Sequence, residues 1–262
     1  MTTLNLRFLL ALALVSAGAG SARADVAAVI AKARSYLGPD AALDAVTSVH
    51  FVGTLVTSED TPAGPKPVEA QVEIIFQKPY RQRIIATSER KVGDTVEQRV
   101  EITALDNYEG WHRVQDAKDP RRWNMDLLQK DDVKRLRANT WENLSFYRGI
   151  EQRGGRIEDL GPATINGVAC QKLAFRHEPG IVFIRYFDLS TGRLVLTETE
   201  QGGTIREEGE LMANGIRFPK KVVTTTKMTD GKERSVTVNF EKVTLNEKFD
   251  PALFEIPSLL TK

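Results

Sequence analysis

Cysteine is nearly absent: Cys170 stands alone in 262 residues. No intramolecular disulfide can form, so stability must come from packing. A buried, small apolar core position is the expected place for Cys170, on a strand between Ala169 and Gln171; a reactive thiol is the alternative. Histidine is scarce as well. His50, His112 and His177 are the only three, and none falls in an H-x-H or H-E-x-x-H spacing, so no metal is expected. His112, near Asp116 and beside Trp111, reads as a solvated loop residue. The chain also lacks a G-x-S-x-G elbow, a Walker loop and a dinucleotide fingerprint, and Gly202-Gly203 lies between extended segments with no helix after it. These absences remove support for nucleophilic and cofactor chemistry. No catalytic residue and no cofactor is expected, and the chain does not read as an enzyme.

Nor does charge of one sign prevail, with 36 basic against 35 acidic residues. No global field draws the protein to nucleic acid or anionic lipid. The first 24 residues are different: they hold no Asp or Glu, and Arg7 precedes an apolar run from Phe8 to Val15 that leads to Ala22-Arg23-Ala24. Charge, apolar run and A-x-A site in that order make a secretory signal, with cleavage expected after Ala24. The run is too short to span about 30 Å of hydrocarbon, and no Cys near the site is available for acylation. A periplasmic or secreted protein that does not span the membrane is expected. Cleavage removes two arginines and leaves a net charge of −1.

Residues 25 to 262 fit one β-rich domain, a class that runs to about 200–250 residues. Asp25 can cap a helix in which Val26, Val29, Ile30, Ala33 and Leu37 share a face, closed by Gly38-Pro39, and Asp40 to Val46 repeats the pattern briefly. The period then falls to two. Val49 to Thr57 is followed by the clearest strand, in which Val68, Ala70, Val72, Ile74 and Phe76 alternate with largely polar neighbours. The Pro-rich stretch Thr61 to Pro67 reads as an exposed loop. Tyr80 to Thr87, Gln98 to Leu105 and Trp111 to Val114 continue an antiparallel meander. One or two helices are expected between Pro120 and Gly149. Strands resume at Val168–Arg176, Ile181–Asp188, Leu194–Glu200, Thr204–Met212, Ile216–Thr226 and Ser235–Val243, separated by Asn-Gly, Pro-Gly, Thr-Gly, Gly-Gly and Asp-Gly signals. About eleven strands without alternating βα units exclude a doubly wound sheet.

Several local patterns carry a resemblance. The N-terminal helix contains Ala33-x-x-Tyr36-Leu37-Gly38, and Asp106-x-x-Glu109-Gly110-Trp111 and Asn166-Gly167-Val168 mark turns. Tyr186-Phe187-Asp188-x-x-Thr191-Gly192-Arg193-Leu194 follows, and the chain closes on Phe249-Asp250-Pro251-x-x-Phe254-x-Ile256-Pro257. With the export signal, this series resembles the LolA-like lipoprotein-carrier superfamily, the exported outer-membrane lipoprotein-sorting proteins. The resemblance implies a mainly β (α+β) fold: an open, incomplete antiparallel β-barrel of about eleven strands with helices packed on its concave face. It also implies an apolar space between them that can receive acyl chains.

On that reading Leu55, Val72, Ile74, Phe76 and Ile84 would form the sheet side of a ligand cavity, and Leu136, Trp141, Leu144 and Phe146 the helical side. The alternative for any one of them, and the favoured one, is ordinary core packing of helix against sheet. Among charges, Arg81 and Arg83 share one strand face and invite Glu69 and Glu73 as partners, or else a lipid head group. Glu208 and Glu210 read as a wet strand face, and Asp131-Asp132 with Lys130, Lys134 and Arg135 as helix-surface charge. The expected partner is a hydrophobic ligand such as a lipid or lipoprotein acyl chain. The alternative is a protein-interaction or sensor module of the cell envelope, without lipid transport, that captures a protein partner on a strand edge or groove.

Overall fold

Asp25 accepts a hydrogen bond from the Ala27 amide at 3.0 Å and so starts helix α1 (Val26–Leu37). The structure, a computed structural model, describes residues 25–61, 64–92, 95–116, 119, 123–177, 180–228 and 231–257. The expected secretory signal, residues 1–24, lies outside the described residues. After the short helix α2 (Asp40–Asp44), six strands run in succession: β1 (Ser48–Thr61), β2 (Gly64–Gln77), β3 (Arg81–Val92), β4 (Thr95–Asp106), β5 (Glu109–Asp116) and β6 (Trp123–Leu127). Helix α3 (Lys130–Ser145) leads to β7 (Arg156–Ile165), β8 (Val168–Arg176), β9 (Val182–Asp188), β10 (Leu194–Thr199) and β11 (Thr204–Glu208). A small hairpin of β12 (Leu211–Ala213) and β13 (Ile216–Phe218) precedes β14 (Lys221–Lys227) and β15 (Glu233–Leu245).

Thirteen of these strands form one antiparallel sheet in the order β6-β5-β4-β3-β2-β1-β15-β14-β11-β10-β9-β8-β7. The chain enters at the middle, meanders to the β6 edge, crosses by α3 to the β7 edge and meanders back until β15 pairs with β1. Two side chains of α3 show that the sheet curls. Thr140 Oγ1 donates to Gln82 Oε1 of β3 at 3.0 Å, while Glu142, two residues on, pairs with Arg185 of β9. In a flat sheet seven strand spacings of about 4.8 Å would separate β3 from β9, beyond the reach of one helix about 10–12 Å wide. The sheet therefore wraps around α3 without closing.

The expected strand count of eleven is too low. β6 and β7 were not anticipated, because β6 is short with exposed Asn124, Asp126 and Leu127, and β7 carries Gly161-Pro162 at a bulge on the sheet edge, where proline is tolerated. The expected strands at 204–212 and 216–226 each break in two, so that β12 and β13 leave the main sheet. Nor is 61–67 simply a loop. The β1–β2 ladder runs out to the Thr61↔Gly64 pair, with Pro65 and Pro67 beyond the point where β2 loses β3 as a neighbour. Among the described residues between Pro120 and Gly149 there is one helix, preceded by β6.

Register decides what faces the helices. Across β15 the pairing slips between Val52 and Gly53, so Glu241 is the extra residue of a bulge. The slip lets Val238 and Phe240 on one side, and Val243 and Leu245 on the other, all face the same way. Gly53 makes this approach possible, since a Cβ there would lie 2.0 Å from the Asn239 carbonyl oxygen. Two buried clusters form beneath the helices. One joins Trp141 and Tyr147 to Leu173, Phe175, Phe183 and Phe187; the other joins Leu144 and Phe146 to Phe51, Phe76, Phe218 and Phe240.

Arg34, 1% exposed, ties the helices together. It donates to the Phe146 carbonyl at 3.0 Å and to the Ser145 carbonyl at 3.3 Å, satisfying the C-terminal end of α3, and it pairs with Asp40 at 2.7 Å and Asp44 at 2.6 Å. These bonds hold Phe146 (φ 48°) and Tyr147 (φ 71°) in a left-handed turn that costs each about 1–2 kcal/mol. On the opposite face of the sheet the C-terminal segment is pinned by Phe254, whose ring is buried and whose carbonyl accepts from Trp111 Nε1 at 3.0 Å.

Candidate functional site

Between α3 and the inner face of the sheet lies a cavity of about 300 Å³. Its sheet wall is apolar. Phe51, Ile74, Phe76 and Ile84 come from β1–β3, and Val222, Val238 and Phe240 from β14 and β15. Phe51↔Ile74 and Ile74↔Ile84 are cross-strand partners, so the alternation in β1–β3 directs these side chains to one side. Phe146 and Phe218 close that end.

The other wall is polar and charged. Glu142 of α3 faces Arg185 of β9, and both side chains are almost wholly buried, at 3% and 10% exposure. His177 Nε2 lies 2.6 Å from the second Glu142 oxygen. The Arg185 guanidinium rests 5.0 Å from the Tyr147 ring and 4.8 Å from that of Phe175, and its Nε has no hydrogen-bond partner among the described residues. Glu207 of β11 completes this wall with Thr197, Asn139 and Asn143. Burial raises its carboxyl pKa above the usual value, while Arg185 lowers it less strongly. Burial likewise raises the Tyr147 phenol. A second chamber of about 170 Å³ shares Leu37, Tyr147, Glu207, Arg217, Phe218 and Pro219 with the first. It leads toward Tyr36, whose hydroxyl donates to Glu210 at 2.7 Å.

Of the nine residues expected to face a ligand, Ile74, Phe76, Ile84 and Phe146 line this cavity. The other five are elsewhere. Leu144 is packed into the core cluster with Phe76, and Trp141 makes a T-shaped contact with His177, ring centroids 5.3 Å apart, and borders a different pocket. Leu136 is half-buried one helical turn before Thr140, which donates to its carbonyl. Val72 and Leu55 lie farther along the same sheet face, opposite Gly53 and Ala70. Glu142, Arg185 and Glu207 were missed. The available signal was Arg185 itself, a lone charge on the strand face that it shares with Phe183 and Phe187.

Other charges resolve simply. Arg81 pairs with Asp106, its direct cross-strand partner, at 3.0 Å, rather than with Glu69 or Glu73. Glu73 lies 2.9 Å from His50, and Arg83 donates to the Leu253 carbonyl. His112 is in strand β5, not a loop, with Glu101 at 4.0 Å. Glu208 meets Lys221 at 2.8 Å on an exposed face, and Lys134 and Arg135 form i,i+3 pairs with Asp131 and Asp132. Cys170 is fully buried against Tyr186 and Leu196, and burial raises its thiol pKa. Among the described residues no group of His, Cys, Asp and Glu could hold a metal ion, and no helix is long and apolar enough to cross a membrane.

The architecture is thus an open antiparallel sheet curled around helices, with a cavity between the layers. This is the fold of LolA superfamily proteins. One of these, from Nitrosomonas europaea, superposes with a TM-score of 0.52 at 13% identity over 87% of this chain and 97% of the other. A Vibrio parahaemolyticus domain described as an outer membrane lipoprotein-sorting protein gives 0.51 at 9% identity over 86% and 95%. A DUF1329 family protein from Desulfovibrio piger gives 0.51 at 8% identity over 88% and 97%. No protein-family model matches the sequence, and neither does any curated protein.

Proposed function

We propose that residues 25–262 form a single exported envelope domain that binds the acyl part of a lipid or lipidated protein, without catalysis. The observation that carries this reading is the cavity of about 300 Å³ between α3 and the sheet, most of whose surface is apolar. That volume is at the lower end of small-molecule pockets, and each methylene buried contributes about 0.8 kcal/mol, so part of a chain suffices for useful affinity. The charged wall refines the ligand class. A bare hydrocarbon would leave Asn139, Asn143, Thr197 and Glu207 of this wall facing it without water, whereas an amphiphile with an ester, amide or hydroxyl near the chain can bond to them. Likeness in fold to a lipoprotein-sorting domain supports the same reading.

Natively purified protein, extracted and analysed by mass spectrometry, is expected to release an acyl-bearing molecule, and delipidated protein to take up a fluorescent fatty acid. Val238→Trp, which fills the cavity from β15, should abolish uptake while the fold is retained. Empty extracts together with no uptake would end the proposal. The mass of the exported protein should correspond to a chain beginning at Asp25.

The sheet favours a second reading as well. β6 and β7 each have one strand neighbour among the described residues, and such edges accept an added strand. Crosslinked partner capture by lipid-free protein would support a sensor or interaction module instead.

A further inference from the structure

A second pocket, of about 240 Å³, opens beside the cavity and shares no lining residue with it. Five separate segments build it, one of them carrying His177. Tyr80 comes from the turn before β3, Tyr108 from the β4–β5 turn, Lys134 and Arg137 from α3, and Arg153 from the 3-10 turn at Glu151–Arg153. The Arg137 guanidinium lies 4.0 Å from the Tyr80 ring and 3.7 Å from the Tyr108 ring, and Arg153 lies 4.3 Å from Tyr80. Arg137 is 8% exposed, and its Nη1 donates to the Asn107 carbonyl at 2.8 Å. No carboxylate lines the pocket. Neither Arg137 nor Arg153 has an acidic partner among the described residues, and Lys134 reaches only the outward Asp131, at 3.6 Å.

We propose that this pocket binds a phosphate group, free or at the head of an amphiphile. Aromatic faces hold the guanidinium planes in place, which leaves their N–H edges for an oxyanion that can accept two bonds from one fork. Three cations drawn together without an acid repel one another, and a dianion removes that repulsion. Burial also lowers the Arg153 pKa, because its guanidinium is partly withdrawn from water. His177 links this site to the acyl cavity, since it lines the pocket and meets Glu142 of the charged wall at 2.6 Å.

Calorimetric titration of the whole protein with inorganic phosphate, and separately with a short-chain phosphatidic acid, tests the assignment. Binding of both identifies the phosphate group itself as the ligand, and binding of the phosphatidic acid alone identifies a lipid head group. The double variant Lys134→Gln/Arg153→Gln, whose side chains lie outside the acyl cavity, should weaken either interaction about tenfold or more and leave fatty-acid uptake unchanged. Arg153→Lys, which keeps charge but loses the fork, should fall between. Absence of binding by both ligands, or equal affinity in the double variant, overturns the proposal. Fatty-acid uptake is scored independently, so failure here leaves the acyl cavity untouched.

Discussion

The two walls of the central cavity are built on opposite principles. The sheet wall of Phe51, Ile74, Phe76, Val238 and Phe240 is made by alternation within neighbouring strands, with Phe51 paired to Ile74, Phe76 to Val49 and Val238 to Leu55, while Phe240 lies opposite Gly53. The facing wall is made by side chains from α3, β9 and β11 that meet only because the sheet curls, and it contains a buried ion pair. Apolar packing degrades gradually when trimmed, whereas a buried charge left alone is penalised in full. The walls should therefore fail differently.

The largest effect is expected at Glu142. Glu142→Ala leaves Arg185 charged and unpaired in the interior and removes the partner of His177, so urea denaturation should show a loss of about 3–5 kcal/mol. A loss below about 1 kcal/mol would mean that the pair is solvated and that the contrast between the walls is false.

This difference in construction also explains what the sequence revealed. Ile74, Phe76 and Ile84 were legible because a period of two is local, and a one-residue change of register would turn them out of the core. The closing Phe249–Pro257 pattern was legible too, and its role is physical: Asp250 accepts from the Ala252 amide at 3.0 Å and sets Phe254 against Trp111. The charged wall was not legible. Glu142 sits in a helix rich in charge and Glu207 in a run of charge, where alternation sets it opposite the solvated Glu208 but does not tell that its own face is covered. Trp141 and Leu144 were placed on the correct helix, but an apolar helix face can meet a cavity or a filled core with the same periodicity.

The apolar wall gives the intermediate effect. Burying an Ile and then truncating it to Ala costs about 2–5 kcal/mol in a filled core. Ile84 is half-buried and already borders empty space, so Ile84→Ala should cost only about 1 kcal/mol by the same denaturation measurement and widen the cavity for a bulkier acyl probe. A full core penalty, or no change in the size of probe accepted, would show that this wall is packed shut.

The smallest effect is a slope rather than a loss, and it tests the charged wall without breaking it. Burial raises the Glu207 pKa, so the folded protein holds that proton more tightly than the unfolded chain does. Stability contributed by the protonated carboxyl is complete below the unfolded value of about 4.3 and is lost as pH rises through the higher folded value. Asp40, held low by hydrogen bonds from Arg34 and Arg148, and Asp188, held at about 2 by Ser190 and Thr191, act with the opposite sign at more acidic pH. They are unchanged in Glu207→Gln, so subtracting the stability curves of the two proteins cancels them. The Gln variant should match the parent below about pH 4 and exceed it increasingly as pH rises through the folded pKa, because Gln cannot ionise. If the parent instead gains on the variant with rising pH, Glu207 is favoured as an ion by Arg185, and this wall presents a second buried pair rather than a neutral acid.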